Sequence, residues 1–318
     1  MVVEEEQRMA WRNTLLAVSG NERLRSFVSS SRMTRAVIDR FVAGESAVDA
    51  VRVAGDLAER GIYSSIDLLG EDTAHPAQAD EITRGYLRLL ERLDDAGLSG
   101  WAEVSVKATA VGLALGDEGE ALAADNIGRV CAAAGDMGTT VTIDMESPDT
   151  VDATLRLVSS LRDRFPWLGC VLQSYLYRTD ADAAAMAGPK ARIRLCKGAY
   201  APDPATAYTA RRDVDAAYVR SLRVLMASEA YPMVATHDPR LIDIAGTLAR
   251  RFGKGPGDFE YQMLYGVRAD EQRRLADDGH RVRVYVPYGD NWYGYLARRL
   301  AERPANLVFA ARSVLSRK

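Results

Sequence analysis

The sequence lacks the motifs that mark several common classes of protein. Cys131, Cys170 and Cys196 are far apart and form no CxxC pair, so we expect three reduced, buried thiols rather than a disulfide framework. The three histidines show neither HxxxH nor HExxH spacing, and we expect no protein-bound metal. No GxGxxG turn is present, which disfavours a Rossmann domain.

The sequence also lacks an excess of charge and a long apolar run. It has 41 Lys and Arg against 44 Asp and Glu, interspersed along the chain, so nothing predicts binding to nucleic acid. No apolar stretch approaches the roughly 18 residues that a membrane-spanning helix needs, and the first residues do not resemble an export signal. We therefore expect a cytoplasmic protein.

Short apolar segments rich in β-branched residues alternate with helical patterns through most of the 318 residues. We count eight such segments, which are Ile62–Leu69, Trp101–Lys107, Thr140–Met145, Cys170–Tyr175, Ile193–Lys197, Met233–His237, Phe259–Leu264 and Val282–Pro287. The helical patterns are His75–Ala96, Glu118–Met137, Pro148–Phe165, Asp180–Gly188, Thr206–Glu229, Pro239–Phe252, Asp270–Asp278 and Asn291–Arg303.

Eight strands, each followed by a helix, predict an α/β fold of the (β/α)8 TIM-barrel type. The alternative is an open, doubly wound sheet. We assign residues 59–318 to one catalytic barrel. Residues 1–58 precede the first strand, have helical patterns throughout, and are expected to form an N-terminal helical extension packed on the barrel.

Polar residues end many of the predicted strands, and the active site of such a barrel lies at these carboxyl ends. They are Lys107, Asp144, Gln173, Arg194, Lys197, Thr236, His237, Asp238, Gln262 and Tyr285. Structural explanations remain open for several of them. The Lys107 side chain could reach solvent from the strand end, Asp144 could cap the following helix, and His237 could belong to a turn before Pro239.

The doublet Arg298-Arg299 follows the eighth predicted strand on a helix rich in aromatic residues. Three other arginine doublets, at 211–212, 250–251 and 273–274, are explained by solvated helix surfaces. Helical spacing places Tyr295 one turn before Arg299 and Arg298 one turn before Glu302. Guanidinium groups held in this way suit bidentate binding of a carboxylate.

Several segments, in this order along the chain, resemble the proline dehydrogenases, specifically the monofunctional bacterial form. They are Arg194-Leu-Cys-Lys-Gly-Ala-Tyr200, Ala235-Thr-His-Asp238, Phe259-Glu-Tyr-Gln-Met-Leu-Tyr-Gly266, Val284-Tyr-Val-Pro-Tyr-Gly289 and Leu296-Ala-Arg-Arg-Leu300. The resemblance runs from about residue 60 to the end. It implies a distorted barrel with non-covalent FAD that oxidises L-proline to Δ1-pyrroline-5-carboxylate and passes electrons to a membrane quinone.

The resemblance also implies roles for individual residues. Lys107, Arg298 and Arg299 would bind the substrate carboxylate, with Asp144 ordering these cations and Glu302 beside the substrate amine or the arginines. Residues that would enclose the pyrrolidine ring are Tyr285, Leu264 and Tyr200. Residues that would line the FAD site are Gln173, Arg194, Cys196, Lys197, Gly198, Ala199, Tyr200, Thr236, His237, Asp238 and Gln262, with Gln173 and Arg194 at the isoalloxazine.

The chain departs from the usual family pattern at four positions, Cys196, Ala201, Asp238 and Tyr265, which bears on the flavin environment. The chain ends soon after the predicted barrel, so a separate pyrroline-5-carboxylate dehydrogenase is expected to oxidise the product. A quinone acceptor implies peripheral contact with the inner face of the cytoplasmic membrane.

Two alternative functions remain open besides that of a proline dehydrogenase. A Schiff-base lyase or aldolase would use Lys107 or Lys197 as an amine nucleophile, with Asp144 nearby. A barrel that binds a ligand without catalysis is the other, because a barrel fold does not by itself imply activity.

Overall fold

Eight parallel strands close into a barrel in sequence order, with the eighth strand hydrogen-bonded to the first. The structure is a computed structural model that describes residues 38–71, 73–200 and 203–296. Its strands are β1 Tyr63–Leu68, β2 Ala102–Lys107, β3 Val141–Asp144, β4 Gly169–Gln173, β5 Arg192–Cys196, β6 Tyr231–Ala235, β7 Glu260–Leu264 and β8 Val282–Tyr288. The predicted closed barrel is confirmed, and the open sheet is wrong.

Helices connect successive strands. They are α1 Ala47–Ala58, which precedes β1, then α2 Pro76–Asp95, α3 Gly119–Asp136, α4 Val151–Arg162, α5 Thr179–Met186, α6 Arg211–Ala227, α7 Pro239–Arg251 and α8 Ala269–Asp277. Proline begins α2 and α7, where its missing N–H costs nothing. Ser46 and Asp49 form a reciprocal capping box at the start of α1.

One predicted helix boundary is wrong. The pattern predicted a helix from Thr206, but α6 begins at Arg211. The backbone of residues 206–208 instead pairs with the loop after β4: Tyr177 N–H donates to Thr206 O, and Tyr208 N–H donates to Tyr175 O. In a helix the carbonyl of Thr206 would accept from the N–H four residues later, but here it accepts from Tyr177, so the tertiary contact overrides the local helical pattern.

The described part of the predicted N-terminal extension packs on the barrel. Ala50, Val53, Ala54 and Leu57 of α1 are buried in the same apolar core as strands β1 and β8. The backbone of Ala43 donates a hydrogen bond to the carbonyl of Pro287 at 2.9 Å. The division of the chain at residue 58 stays a prediction, and residues 1–37 lie outside the described residues.

The two faces of the strands differ sharply in chemistry. Ile66, Val104 and Ile143 are fully buried with the apolar residues of the helices. The alternate residues face the barrel interior, as shown by the bond from Arg194 on β5 to Ser65 on β1, which must cross it. The interior is therefore polar, and its side chains meet across the barrel axis.

A second apolar cluster lies where the chain leaves β8. Trp292, Tyr295 and Leu296 pack with Phe41 and Leu69. This contact ties the segment after β8 to the residues that precede α1. Among the described residues, no helix is both long and apolar enough to cross a bilayer.

Candidate active site

Five side chains converge inside the carboxyl end of the barrel, and we call them the mouth cluster. Its members are Asp67 on β1, Lys107 on β2, Asp144 on β3, Arg194 on β5 and Tyr285 on β8. Parallel pairing places Lys107 beside Asp144 and brings β8 next to β1. Four of the five are at least nine-tenths buried, and Tyr285 is partly exposed.

The ammonium of Lys107 is held by Asp67. Its Nζ lies 2.6 Å from both Oδ1 and Oδ2 of Asp67, whose side chain is completely buried. Burial lowers the pKa of Lys107, but Asp67, and after it Asp144, outweigh this effect and raise it above the ordinary value. Lys107 is therefore a cation at neutral pH, and the interpretation of a solvent-reaching lysine is wrong.

Asp144 accepts hydrogen bonds from three neighbours rather than capping a helix. Ser105 Oγ donates to Oδ1 at 2.8 Å, Arg194 Nη1 donates to the same oxygen at 2.7 Å, and Tyr285 OH donates to Oδ2 at 2.6 Å. Burial, and then the charges of Asp144 and Asp67, raise the pKa of Tyr285 well above its ordinary value. The phenol therefore keeps its proton and acts as the donor.

The guanidinium of Arg194 crosses the barrel interior and binds protein groups on several strands. Nε donates to Gln262 Oε1 at 2.5 Å, and Nη2 donates to Ser65 Oγ at 3.0 Å. Nη1 donates to Ser105 as well as Asp144. Its Cζ lies 5.3 Å from the centre of the Tyr285 ring. Through these hydrogen bonds, Arg194 on β5 connects strands β1, β2, β3 and β7 at the mouth cluster.

The charges of the mouth cluster cancel. Asp67 and Asp144 contribute two negative charges, and Lys107 and Arg194 contribute two positive charges. A neutral cluster of this kind has no surplus positive charge for an anionic substrate. Further cations are needed there, and Arg298 and Arg299 are the residues expected to supply them. Both, like Glu302, lie outside the described residues.

A buried amide and a buried carboxyl group lie beside the mouth cluster. Gln173 Nε2 donates to the carbonyls of Met145 and Glu146 at 3.2 and 3.1 Å, while its Oε1 is buried and has no partner among the described residues. The Glu146 carboxylate accepts from Thr109 N–H at 3.0 Å and from Thr109 Oγ1 at 2.5 Å. Burial nevertheless raises the pKa of Glu146 to about 7.

The orphaned oxygen of Gln173 provides a test of whether a flavin fits. A buried acceptor without a partner costs free energy, so a ligand that brings an N–H group is favoured at this point. A flavin ring carries such a group. The residues present therefore fit the expected cofactor.

The loop after β5 is held by charges and by a close backbone approach. Lys197 Nζ binds Asp215 and lies 3.5 Å from Asp238 Oδ2. Gly198 has φ +109°, and a Cβ there would lie 2.0 Å from Cδ1 of Tyr175, so only glycine fits. Ala199 and Tyr200 are partly exposed beside it.

The residues after β6 support those after β7. Thr236 Oγ1 accepts from Asp238 N–H at 3.1 Å, and Asp238 caps α7 by accepting from the backbone of Arg240. His237 Nε2 accepts from Leu264 N–H at 2.9 Å. The turn before Pro239 predicted as a structural explanation is thus present, and His237 also fixes the backbone of Leu264, a predicted substrate-ring residue.

A second charged layer lies below the mouth cluster. Arg283 Nε donates to Glu260 Oε1 at 2.7 Å, and Arg192 binds Glu103. Burial raises the pKa of Glu103, but Arg192, Arg283 and Arg194 outweigh it and bring the pKa to about 2. Gln262 connects the two layers, because its amide also donates to Glu260 at 2.6 Å.

The model of the proline dehydrogenase family matches residues 50–312 of the chain. This chain belongs to the proline dehydrogenase family. It is 40% identical to a proline dehydrogenase of Deinococcus radiodurans, over 87% of this chain and 89% of that protein. It is 35% identical to proline dehydrogenase 1 of Bacillus subtilis, over 96% of this chain and 99% of that protein.

The barrel is also similar to a solved structure of proline utilization A from Bdellovibrio bacteriovorus. The TM-score is 0.78 at 26% identity, over 85% of this chain. This chain spans about a third of that much longer chain, 33% of its length. The family predicted from the motifs is confirmed.

Sequence reasoning missed several residues that this family member brings to the site. Asp67 is the most important, and Ser65, Ser105 and Thr109 bind the charged groups. Asp67 lies one residue before the end of β1, near the same end of the barrel as Lys107, so the rule of polar residues at strand ends would have found it.

One prediction about a cysteine needs correction. Cys131 and Cys170 are buried free thiols as expected, but Cys196 is only partly buried. It ends β5 on the interior side, in register with Gln173.

Proposed function

We propose that this chain is an FAD-dependent L-proline dehydrogenase, which removes a hydride from C5 and a proton from the nitrogen of proline to give Δ1-pyrroline-5-carboxylate. One observation carries the proposal beyond family membership: Lys107 is a buried cation at the end of β2, and Gln173 at the end of β4 presents an unpaired acceptor. A cation and a flavin-compatible amide thus lie where a barrel enzyme binds its substrate.

The substrate carboxylate would bind Lys107 together with Arg298 and Arg299. Because the mouth cluster is neutral by itself, the arginine pair provides the net positive charge that an anionic carboxylate requires. Charge-assisted hydrogen bonds contribute roughly 1.5–3 kcal/mol each, which is sufficient to orient a ligand as small as proline.

Tyr285, Leu264 and Tyr200 would enclose the apolar ring. The C5–H bond breaks with its electron pair as the lone pair of the neutral nitrogen forms the C5=N bond. The resulting iminium ion then releases its N–H proton to solvent, which gives Δ1-pyrroline-5-carboxylate. Bound FAD supplies the acceptor for this hydride. The residues proposed to hold it are Gln173, Arg194, Cys196, Lys197, Gly198, Ala199, Tyr200, Thr236, His237, Asp238 and Gln262. The role of the chain is to orient the substrate and to exclude water from it.

The Schiff-base alternative is disfavoured by the same geometry. A nucleophilic amine must be neutral. The pKa of Lys107 is raised because Asp67, then Asp144, overcome its desolvation. The side-chain nitrogen of Lys197 is already bound by the carboxylates of Asp215 and Asp238.

The absorbance spectrum of the purified holoenzyme tests the proposal. We expect flavin bands that bleach when L-proline is added without oxygen, and the product should react as a cyclic imine. A protein without a flavin spectrum, or a flavin that proline leaves oxidised, would overturn it.

We also propose that the electrons pass to a membrane quinone through peripheral membrane contact, and that a separate pyrroline-5-carboxylate dehydrogenase oxidises the product. Proline-dependent reduction of a soluble quinone tests the electron acceptor, and sedimentation with lipid vesicles tests the membrane contact. If a separate dehydrogenase is required, the purified chain should not oxidise the product when NAD is added.

A further inference from the structure

Asp67 holds Lys107 in an unusually restrictive geometry. Both carboxylate oxygens lie 2.6 Å from Nζ, and the exposed fractions of the two side chains are 0% for Asp67 and 7% for Lys107. An ammonium group has three N–H donors. With two of them directed at Asp67, one remains for another acceptor.

The other charged and titratable groups around Lys107 do not duplicate this contact. Among the described residues, Asp144 on β3 and Glu71 after β1 act on its pKa less strongly than Asp67 does. Tyr285 on β8 donates to Asp144, and Glu146 binds Thr109. Arg194 on β5 neutralises Asp144.

We propose that Asp67 is a positioning residue, which keeps Lys107 charged and directs its one remaining N–H toward the substrate carboxylate. The inference rests on the proposed oxidation of proline, and it assigns to Asp67 a role in substrate binding through Lys107. Asp67 acts through the ammonium that it holds, because its own side chain is completely buried.

Charge, and not only shape, is essential to this role. A buried ammonium without its counter-ion loses its proton more readily, because desolvation disfavours the charged form. Asparagine at position 67 keeps the size of the side chain but removes that counter-ion. The pKa of Lys107 then falls, and the cation is lost at a pH where the wild-type protein retains it.

The experiment compares the wild-type holoenzyme with Asp67→Asn by calorimetric titration of cyclopentanecarboxylate. This probe has a five-membered ring and a carboxylate but no amine, so it does not titrate above neutral pH. In Asp67→Asn we expect binding to weaken about tenfold or more between about pH 7 and about pH 10, since a charge-assisted hydrogen bond is lost. Wild-type binding should change much less over this range.

Two comparisons separate this role from general damage to the barrel. Glu260→Gln neutralises an equally buried carboxylate in the lower layer, and its binding should not acquire the alkaline loss. In a Lys107→Met background, Asp67→Asn should add no further pH dependence, because the group that titrates is absent.

An Asp67→Asn profile parallel to that of the wild type would overturn the inference. So would an alkaline loss of equal size in Glu260→Gln or in the Lys107→Met background. If Asp67→Asn does not fold, Asp67→Glu keeps the charge but displaces the ammonium by one methylene. It should weaken binding about equally at every pH, and unchanged binding would count against the role.

The failure of this inference differs from the failure of the proposed function. If proline does not bleach the flavin of the wild-type protein, both the proposed function and the role of Asp67 are refuted. If the wild-type protein is bleached and binds the probe, but Asp67→Asn keeps the wild-type profile, only the role of Asp67 is refuted.

Discussion

The phenol of Tyr285 donates a hydrogen bond of 2.6 Å to Oδ2 of Asp144, which connects β8 to β3 across the barrel mouth. Arg194 binds the other oxygen of Asp144 and lies against the face of the same phenol ring. The ring of Tyr285 is therefore held at its tip and along its face. Under the proposed function, a side chain fixed in this way would form a rigid wall beside the substrate ring.

This rigidity predicts discrimination against a hydroxylated substrate. A fixed phenol beside the proline ring leaves little room for a ring hydroxyl, so kcat/KM for 4-hydroxyproline should be lower than that for proline by about tenfold or more. Tyr285→Ala should reduce the difference in kcat/KM between the two substrates. Tyr285→Phe keeps the ring and should retain most of that difference. Equal kcat/KM values for the two substrates in the wild-type enzyme would contradict the prediction.

Replacement of either residue of the Arg298-Arg299 pair should weaken proline binding. Arg298→Met and Arg299→Met should each raise KM by about tenfold to a hundredfold, because each would remove the charge-assisted hydrogen bond that we propose to the substrate carboxylate. Steady-state kinetics with proline measure this. Arg251→Met, in an exposed doublet at the end of α7, is the matched control and should leave KM unchanged. Unaltered KM values in both test variants would refute the assignment.

Glu146 should make the stability of the protein depend on pH. Its pKa rises from 4.5 to about 7, chiefly through burial. Between these values the folded protein holds a proton that the unfolded chain has released, so the free energy of unfolding falls as pH rises and is flat above about pH 7. The total loss is about 3 kcal/mol.

Glu146→Gln should remove this dependence, because glutamine resembles the protonated acid. The variant should match the wild-type protein near pH 4.5 and exceed its free energy of unfolding above about pH 7, as measured by urea denaturation. Glu91→Gln on the exposed face of α2 is the control and should parallel the wild-type curve. Parallel curves for Glu146→Gln as well would show that the carboxyl does not titrate in this range.

The lower charged layer should be sensitive to the loss of one partner. Arg283→Met leaves Glu260 without its paired cation, whereas Glu103 keeps Arg192, and should reduce the free energy of unfolding by about 3–5 kcal/mol. The double variant Glu260→Gln with Arg283→Met should be more stable than the single variant, since one unpaired charge is gone. Urea denaturation measures both, and a double variant at least as unstable as the single would contradict this explanation.

Part of the site was predictable because it depends on local patterns. The alternation of apolar strands with helices predicts the barrel, and the barrel places Lys107, Asp144 and Tyr285 at one end. The pairing of side chains within the site was not predictable in this way. The contact between Asp67 and Lys107 joins residues 40 positions apart, and that between Tyr285 and Asp144 joins residues 141 apart. Nothing in either local segment specifies the other member.

The sequence by itself determined the period and order of the strands, and with them the barrel and the end at which polar residues collect, because side-chain alternation and turn chemistry are local properties. Only the tertiary structure decided which charges pair. Lys107 on β2 lies between Asp67 on β1 and Asp144 on β3 and binds Asp67, while Arg194 reaches Asp144 from β5; these distances are set by the closed barrel, and no local spacing contains them.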